Sequence, residues 1–409
     1  MTMWQPAPRT KLAAAAYEAA EADRIARPDR YRLEAEAIVA AATARGASSS
    51  DFSPGWSEAL DRYLDSAAVD GHLNALGTAM VARTAVSRLR AGAAMTRFLS
   101  THRTVAETPM APPIFITGGW RTGTTFLFRL LASDPRLRAP LPAELAAPTL
   151  FHGVDDDRSA TLIRGSAAAH DGLHALNPHL RSIHDSGADL PEECGLGMGT
   201  DMHNWAFSAT TRLESYSGWL AEQDLDPTYE RYRSVLQTLD RGDGRRWVLK
   251  APPHIAELSS LAGAFPGAVV VVLHRDIAET ITSGSSLFAV FRSTYSDRVD
   301  PFDVGRFQTE QTERWLTRAQ RFRESAAFED ATVLDLPYRS LVADPGAALK
   351  SIYRAAGMEQ VADIGAFVAS YHRTHPRHEH GHHRYAPEDF GLDAAALRER
   401  FEPLTMIEP

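Results

Sequence analysis

The segment Gly118-Gly-Trp-Arg-Thr-Gly-Thr-Thr125 carries the strongest chemical signal in the chain. It follows the apolar run Ile114-Phe-Ile-Thr117 and precedes the apolar, helix-forming stretch Phe126 to Ala132. A glycine-bearing turn between a strand and a helix gathers backbone N–H groups at a helix N-terminus, and that makes an anion cradle. The hydroxyls of Thr122, Thr124 and Thr125 add donors. In the nucleotide-triphosphatase loop, Gly-x4-Gly-Lys-[Ser/Thr], the lysine meets the phosphates and the last hydroxyl meets Mg²⁺. Gly118, Gly123 and Thr125 fit that frame, but Thr124 stands where the lysine belongs. The positive charge sits inside the loop instead, at Arg121. The loop therefore reads as a site for an anion other than a magnesium-bound triphosphate.

Two further segments have the same strand-then-turn context. Trp247-Val-Leu-Lys-Ala-Pro-Pro-His254 places a lysine at the end of an apolar strand. The chain has only three lysines, Lys11, Lys250 and Lys350, so Lys250 stands out against an arginine-rich background. His274-Arg-Asp-Ile-Ala-Glu-Thr-Ile-Thr-Ser283 follows the run Ala268 to Leu273. Arg275 at the strand end and Ser283 about two turns into the next helix suit one phosphate, gripped by a guanidinium fork and a hydroxyl. Glu144 and His254 are candidate bases. The paired carboxylates Glu192 and Glu193 read as the first turn of a helix, or as part of an acceptor site.

These residues must be held by a scaffold, and the pattern around them says which. Strands at 114–117, 247–250, 267–274 and 332–336 alternate with helices at 126–132, 255–265, 278–288 and 346–356. This βαβ rhythm implies a parallel sheet. The strands are continuously apolar, as expected when helices cover both faces. In an open parallel sheet, ligands sit at the carboxyl ends of the strands, where all three segments lie. The expected fold class is α/β: a P-loop-type parallel sheet of about five strands flanked by helices. Residues 1–110 show helical periodicity at 12–27, 31–45 and 72–98 and read as an N-terminal helical lobe, with 111–409 as the α/β domain. Residues 146–246 read as a mostly helical insertion on the acceptor side. Residues 289–303 read as a loop, with Phe291 to Tyr295 as part of a lid.

Composition narrows the class. The 409 residues are 44% hydrophobic and 23% charged, ordinary for a globular protein. A net charge of −9 argues against a general nucleic-acid binder. No apolar run approaches the roughly 18 residues needed to span a bilayer. The N-terminus runs into Glu18, Glu21 and Asp23 and does not read as a signal peptide. The one cysteine, Cys194, permits no internal disulfide. A cytoplasmic protein is expected. The histidines at 372, 375, 378, 380, 382 and 383 lack zinc-site spacing, so no metal is assigned to them.

Taken together, the three segments resemble, in order and spacing, the sulfotransferases that use 3′-phosphoadenosine 5′-phosphosulfate (PAPS). Arg121-Thr-Gly-Thr-Thr125 looks like the family's 5′-phosphosulfate loop. Arg275 and Ser283 have the eight-residue spacing of its 3′-phosphate pair. Leu334-Asp-Leu-Pro-Tyr-Arg-Ser-Leu-Val-Ala-Asp-Pro345 is similar to its Tyr-x-x-Leu-x-x-x-Pro segment. The likeness covers roughly residues 112–400 and is greatest to bacterial members and to the tyrosine-sulfating branch. There the loop carries arginine, and the catalytic glutamate lies at a distance similar to that of Glu144. The cytosolic members' closing Arg-Lys-Gly loop is absent. His380 to Tyr385, including His383 and Arg384, occupies a comparable late position. The resemblance implies sulfuryl transfer from PAPS to a hydroxyl or amine of a small molecule, lipid or glycan, with adenosine 3′,5′-bisphosphate as product. It implies cofactor contacts from Arg121, Thr122, Gly123, Thr124, Thr125, Arg275, Ser283, His383 and Arg384. Arg121 and Lys250 supply charge to the leaving group, no metal is required, and Glu144 ranks ahead of His254 as base. A homodimer is compatible with it. The rivals are a P-loop kinase or phosphotransferase and a non-catalytic nucleotide-binding module.

Overall fold

A computed structural model describes residues 4–44, 46–375 and 385–405 of the chain. Five strands form one all-parallel sheet: β1 (Ile114–Gly118), β2 (Leu137–Arg138), β3 (Arg246–Lys250), β4 (Val269–His274) and β5 (Thr332–Pro337). Their order across the sheet is β2-β3-β1-β4-β5. Ile114 pairs with Val248 on one side and with Val269 on the other. The three central strands are thus β3, β1 and β4, and their carboxyl ends carry Lys250, the glycine loop and Arg275.

The strands are buried because helices cover both faces, and side chains alternate between them. Phe115, Trp247, Leu249, Val270 and Val272 enter one core. Ile114, Ile116, Val248, Val271 and Leu273 enter the other. The second core is closed by Leu127 and Leu131 of the helix Thr124–Ala132 and by Leu349 and Ile352 of the helix Pro345–Ala355. The first core is the larger. It continues into the N-terminal helices α1 (Lys11–Ala26), α2 (Ala35–Thr43), α3 (Trp56–Asp70) and α4 (Ala75–Thr101), through Ile38, Leu60, Tyr63, Val81 and Leu89. The 27-residue α4 begins at Asn74, whose side chain accepts from the Gly77 N–H.

Two elements depart from the pattern expected of the sequence. The helix α3 was not foreseen, although Ala59, Leu60, Tyr63, Leu64 and Ala67 form a buried face at helical spacing. Residues 289–295 are not a loop or lid. The helix Ile277–Tyr295 continues through them, and Val290, Arg292 and Thr294 are buried. Apolar and small residues on most of its faces let it run through the protein interior.

The 146–246 stretch is largely helical, with its longest helices at Asp156–Leu176 and Asp226–Leu239. His378, His380, His382, His383 and Arg384 lie outside the described residues. No helix among the described residues is long and apolar enough to cross a membrane.

Candidate active site

The loop between β1 and the helix Thr124–Ala132 owes its shape to three residues with positive φ. Gly118 has φ 141°, Arg121 62° and Gly123 90°. A Cβ on Gly118 would sit 2.4 Å from the Leu273 carbonyl oxygen, so only glycine lets β1 leave the sheet there. Arg121 holds a left-handed conformation that a side chain disfavours. The turn closes through the Thr122 hydroxyl, which donates to the Gly119 carbonyl at 2.9 Å. Thr122 and Thr124 are buried, whereas Arg121 and Thr125 face outward. The helix that follows leaves its first N–H groups without intrahelical acceptors, aimed at the loop.

Arg121 is tied back by its Nη1, which donates to the Ile183 carbonyl at 2.8 Å. Arg275, at the end of β4, donates from Nη1 to the Arg121 carbonyl at 2.9 Å and from Nε to Glu279 at 2.8 Å. Its guanidinium also lies 4.8 Å from the Tyr338 ring centroid, in a cation–π arrangement. Ser283 is buried and its Oγ accepts from the Tyr385 hydroxyl at 2.6 Å. Of the late segment, Tyr385 is described and reaches the serine; His383 and Arg384 lie outside the described residues.

Lys250 ends β3 beside the loop. Its Nζ donates to Thr125 Oγ1 at 3.4 Å and is ion-paired with Glu193. The lysine side chain is only 3% exposed and that of Glu193 22%, so the carboxylate is the member of the pair that meets solvent. Glu193 is held from both sides. The Glu192 N–H donates to the Pro140 carbonyl at 3.0 Å. Cys194 is fully buried, and burial pushes its thiol up to about 12. Nothing in the sequence spacing joins Glu193 to Lys250. The only hints were the rarity of lysine and an acidic pair abutting a buried-type cysteine.

Glu144 and His254 are both buried. Glu144, in the short helix Pro142–Ala146, is 4% exposed. Its Oε1 accepts from Arg138 Nη2 at 2.7 Å and its Oε2 from the Leu141 N–H at 2.9 Å. His254 is 1% exposed; its Nδ1 is 2.7 Å from the Tyr229 hydroxyl. Its Nε2 is buried with no hydrogen-bond partner among the described residues. Burial pushes the imidazole down to about 3, so it stays neutral. The Phe115 ring stands edge-on to it at 5.2 Å.

Two cavities, of about 230 and 580 Å³, lie along the far end of the helix Ile277–Tyr295, and neither is lined by the loop, Lys250 or Arg275. The motif residues assemble instead at the sheet's carboxyl edge, where parallel-sheet ligands bind. There, a backbone cradle, two arginines, a lysine and hydroxyls can hold a phosphate ester and meet charge on a transferring group. No group of His, Cys, Asp and Glu among the described residues is arranged to hold a metal ion.

Similar proteins sharpen the reading. The chain is 27% identical over 264 residues to the omega-hydroxy-beta-dihydromenaquinone-9 sulfotransferases Stf3 of Mycobacterium bovis and Mycobacterium tuberculosis. That alignment covers 63% of this chain, and this chain spans about 66% of the length of those relatives. Sulfotransferase STF1 from Mycobacterium tuberculosis superposes with a TM-score of 0.77 at 27% identity, over 90% of this chain and 98% of that one. Sulfotransferase STF9 from Mycobacterium avium gives 0.78 at 25% identity, over 92% and 97%. The pattern that defines the sulfotransferase family matches residues 112–363, from the approach to β1 past the helix after β5. The chain belongs to the sulfotransferase family.

Proposed function

We propose that this protein transfers a sulfuryl group from PAPS to the hydroxyl of an apolar, lipid-like acceptor. The observation that carries the reading is the convergence of the 118–125 loop, Lys250 and Arg275 on the ends of three adjacent strands. In this reading the loop amides with Thr122, Gly123, Thr124 and Thr125 hold the 5′-phosphosulfate. Arg275 and Ser283 take the 3′-phosphate, and the Tyr385 hydroxyl meets the same serine. Arg121 and Lys250 meet the charge that grows on the bridging oxygen as the sulfur–oxygen bond lengthens.

Such a transfer needs positioning and preorganised positive charge more than covalent chemistry. Thr124, where a triphosphatase has lysine, disfavours the kinase alternative. The hydroxylated-quinone name of the Stf3 relatives supports an apolar alcohol as acceptor. Incubating the protein with PAPS and a panel of polyprenyl and quinone alcohols, then following the products by mass spectrometry, tests this. The expected product gains one SO₃. Gain of a phosphoryl group from ATP in its place would favour the phosphotransferase alternative.

A further inference from the structure

The transfer proposed above requires the acceptor hydroxyl to lose its proton, and the geometry points to Glu193 as the group that takes it. We infer that Glu193 is the general base and that its pairing with Lys250 makes it available only when the donor is bound. The inference rests on the proposed donor and on four observations. Glu193 is ion-paired with Lys250, and the same Nζ reaches Thr125 of the loop at 3.4 Å. The carboxylate is thus one side chain away from the position assigned to the phosphosulfate. It is the more exposed member of the pair, 22% against 3%. The peptides on either side are fixed, by Glu192 to Pro140 and by burial of Cys194, so the carboxylate is held rather than trailing. Glu144 and His254, by contrast, have their polar atoms in buried contacts or closed off from solvent.

Lys250 and Glu193 are paired and neutralise each other's charge. A bound phosphosulfate offers Lys250 a second anion, the bridging oxygen. As the ammonium turns to it, the carboxylate is released to the acceptor. The acceptor's O–H bond then breaks and its proton passes to Glu193. The acceptor oxygen forms the new bond to sulfur. The bond between sulfur and the bridging oxygen breaks, and its electron pair stays on the 5′-phosphate of adenosine 3′,5′-bisphosphate, facing Lys250. One proton is moved, one bond to sulfur is made and one is broken, with no further reactant.

The test uses Glu193→Gln and Glu193→Asp in the full chain. Binding of adenosine 3′,5′-bisphosphate is measured by calorimetry. Turnover of PAPS is followed with farnesol as probe alcohol and, as a second readout, by sulfate release to water. Glu193→Gln should lower turnover by about 100- to 10,000-fold. It should leave bisphosphate affinity unchanged or tighter, because Lys250 is no longer held by a carboxylate. Glu193→Asp, which keeps a carboxylate at shorter reach, should recover part of the activity. If Glu193→Gln folds and stays within a few-fold of the native rate, or if a folded Glu144→Gln loses turnover to that extent while Glu193→Gln does not, Glu193 is not the base. Failure of the native protein to bind the bisphosphate would instead overturn the donor assignment beneath the inference.

Discussion

The Arg275 guanidinium donates to the backbone carbonyl of Arg121 at 2.9 Å, across 154 residues of sequence. This one bond joins the residue assigned to the cofactor's 3′-phosphate to the left-handed residue of the 5′-phosphosulfate loop. In the proposed complex, occupancy at one end of the nucleotide is linked through this bond to the shape of the loop at the other. Arg275→Ala should therefore erode discrimination between adenosine 3′,5′-bisphosphate and AMP. A charged hydrogen bond contributes about 1.5–3 kcal/mol, or roughly 10- to 150-fold in affinity. Competition calorimetry measures it, and an unchanged preference would remove Arg275 from the 3′-phosphate site.

Arg121 combines backbone strain with the role proposed for it at the leaving group. Its φ of 62° suits glycine better than arginine, and its side chain recovers a hydrogen bond to the Ile183 carbonyl. Arg121→Gly should lose that bond, about 1 kcal/mol, and relieve left-handed strain of about 1–2 kcal/mol. Thermal denaturation should show near-native stability, while turnover falls at least tenfold. A large stability loss with turnover preserved would make Arg121 a structural residue.

Glu144 should behave as a member of a buried ion pair. Arg138 and Glu144 are 8% and 5% exposed, and the Arg138 guanidinium also stacks over Trp247 at 4.4 Å. Glu144→Ala leaves a buried arginine uncompensated, which costs about 3–5 kcal/mol. Denaturant unfolding should record a loss of that size. If stability is nearly native and only turnover is lost, the carboxylate acts in the chemistry instead.

The sequence made four of the five strands legible because they are continuously apolar and bounded by turn residues. β2 escaped notice because two residues, Leu137 and Arg138, have no periodicity to read. The glycine loop, Lys250 and Arg275 could be found because each carries a local motif at a strand end. The Lys250–Glu193 pair could not, since its partners are 57 residues apart and meet only when the chain folds. Arg292 shows the opposite failure: beside aromatic residues and a serine–threonine pair it read as part of a lid, yet it is 3% exposed inside a continuous helix.

His254 gives the fold a pH dependence. Its native imidazole is held down to about 3 by burial, while the unfolded chain protonates near pH 6.5. Its contribution to stability is fully present above pH 6.5. As pH falls from there towards 3, the unfolded state binds a proton that the native state refuses, and stability drops. One such group gives a slope of up to about 1.4 kcal/mol per pH unit. Urea unfolding at pH 7.5, 6 and 5 should show a steeper fall for the native protein than for His254→Leu. Parallel curves would mean that His254 is not buried neutral.

A site built for PAPS should prefer a nucleotide with a 3′-phosphate and a single 5′-phosphate. Calorimetric titration of the native protein with adenosine 3′,5′-bisphosphate, and separately with ADP and Mg²⁺, tests it most directly. The bisphosphate should bind at least tenfold more tightly and without dependence on Mg²⁺. Equal or tighter binding of magnesium ADP would contradict the assignment and favour a phosphotransferase on the same sheet.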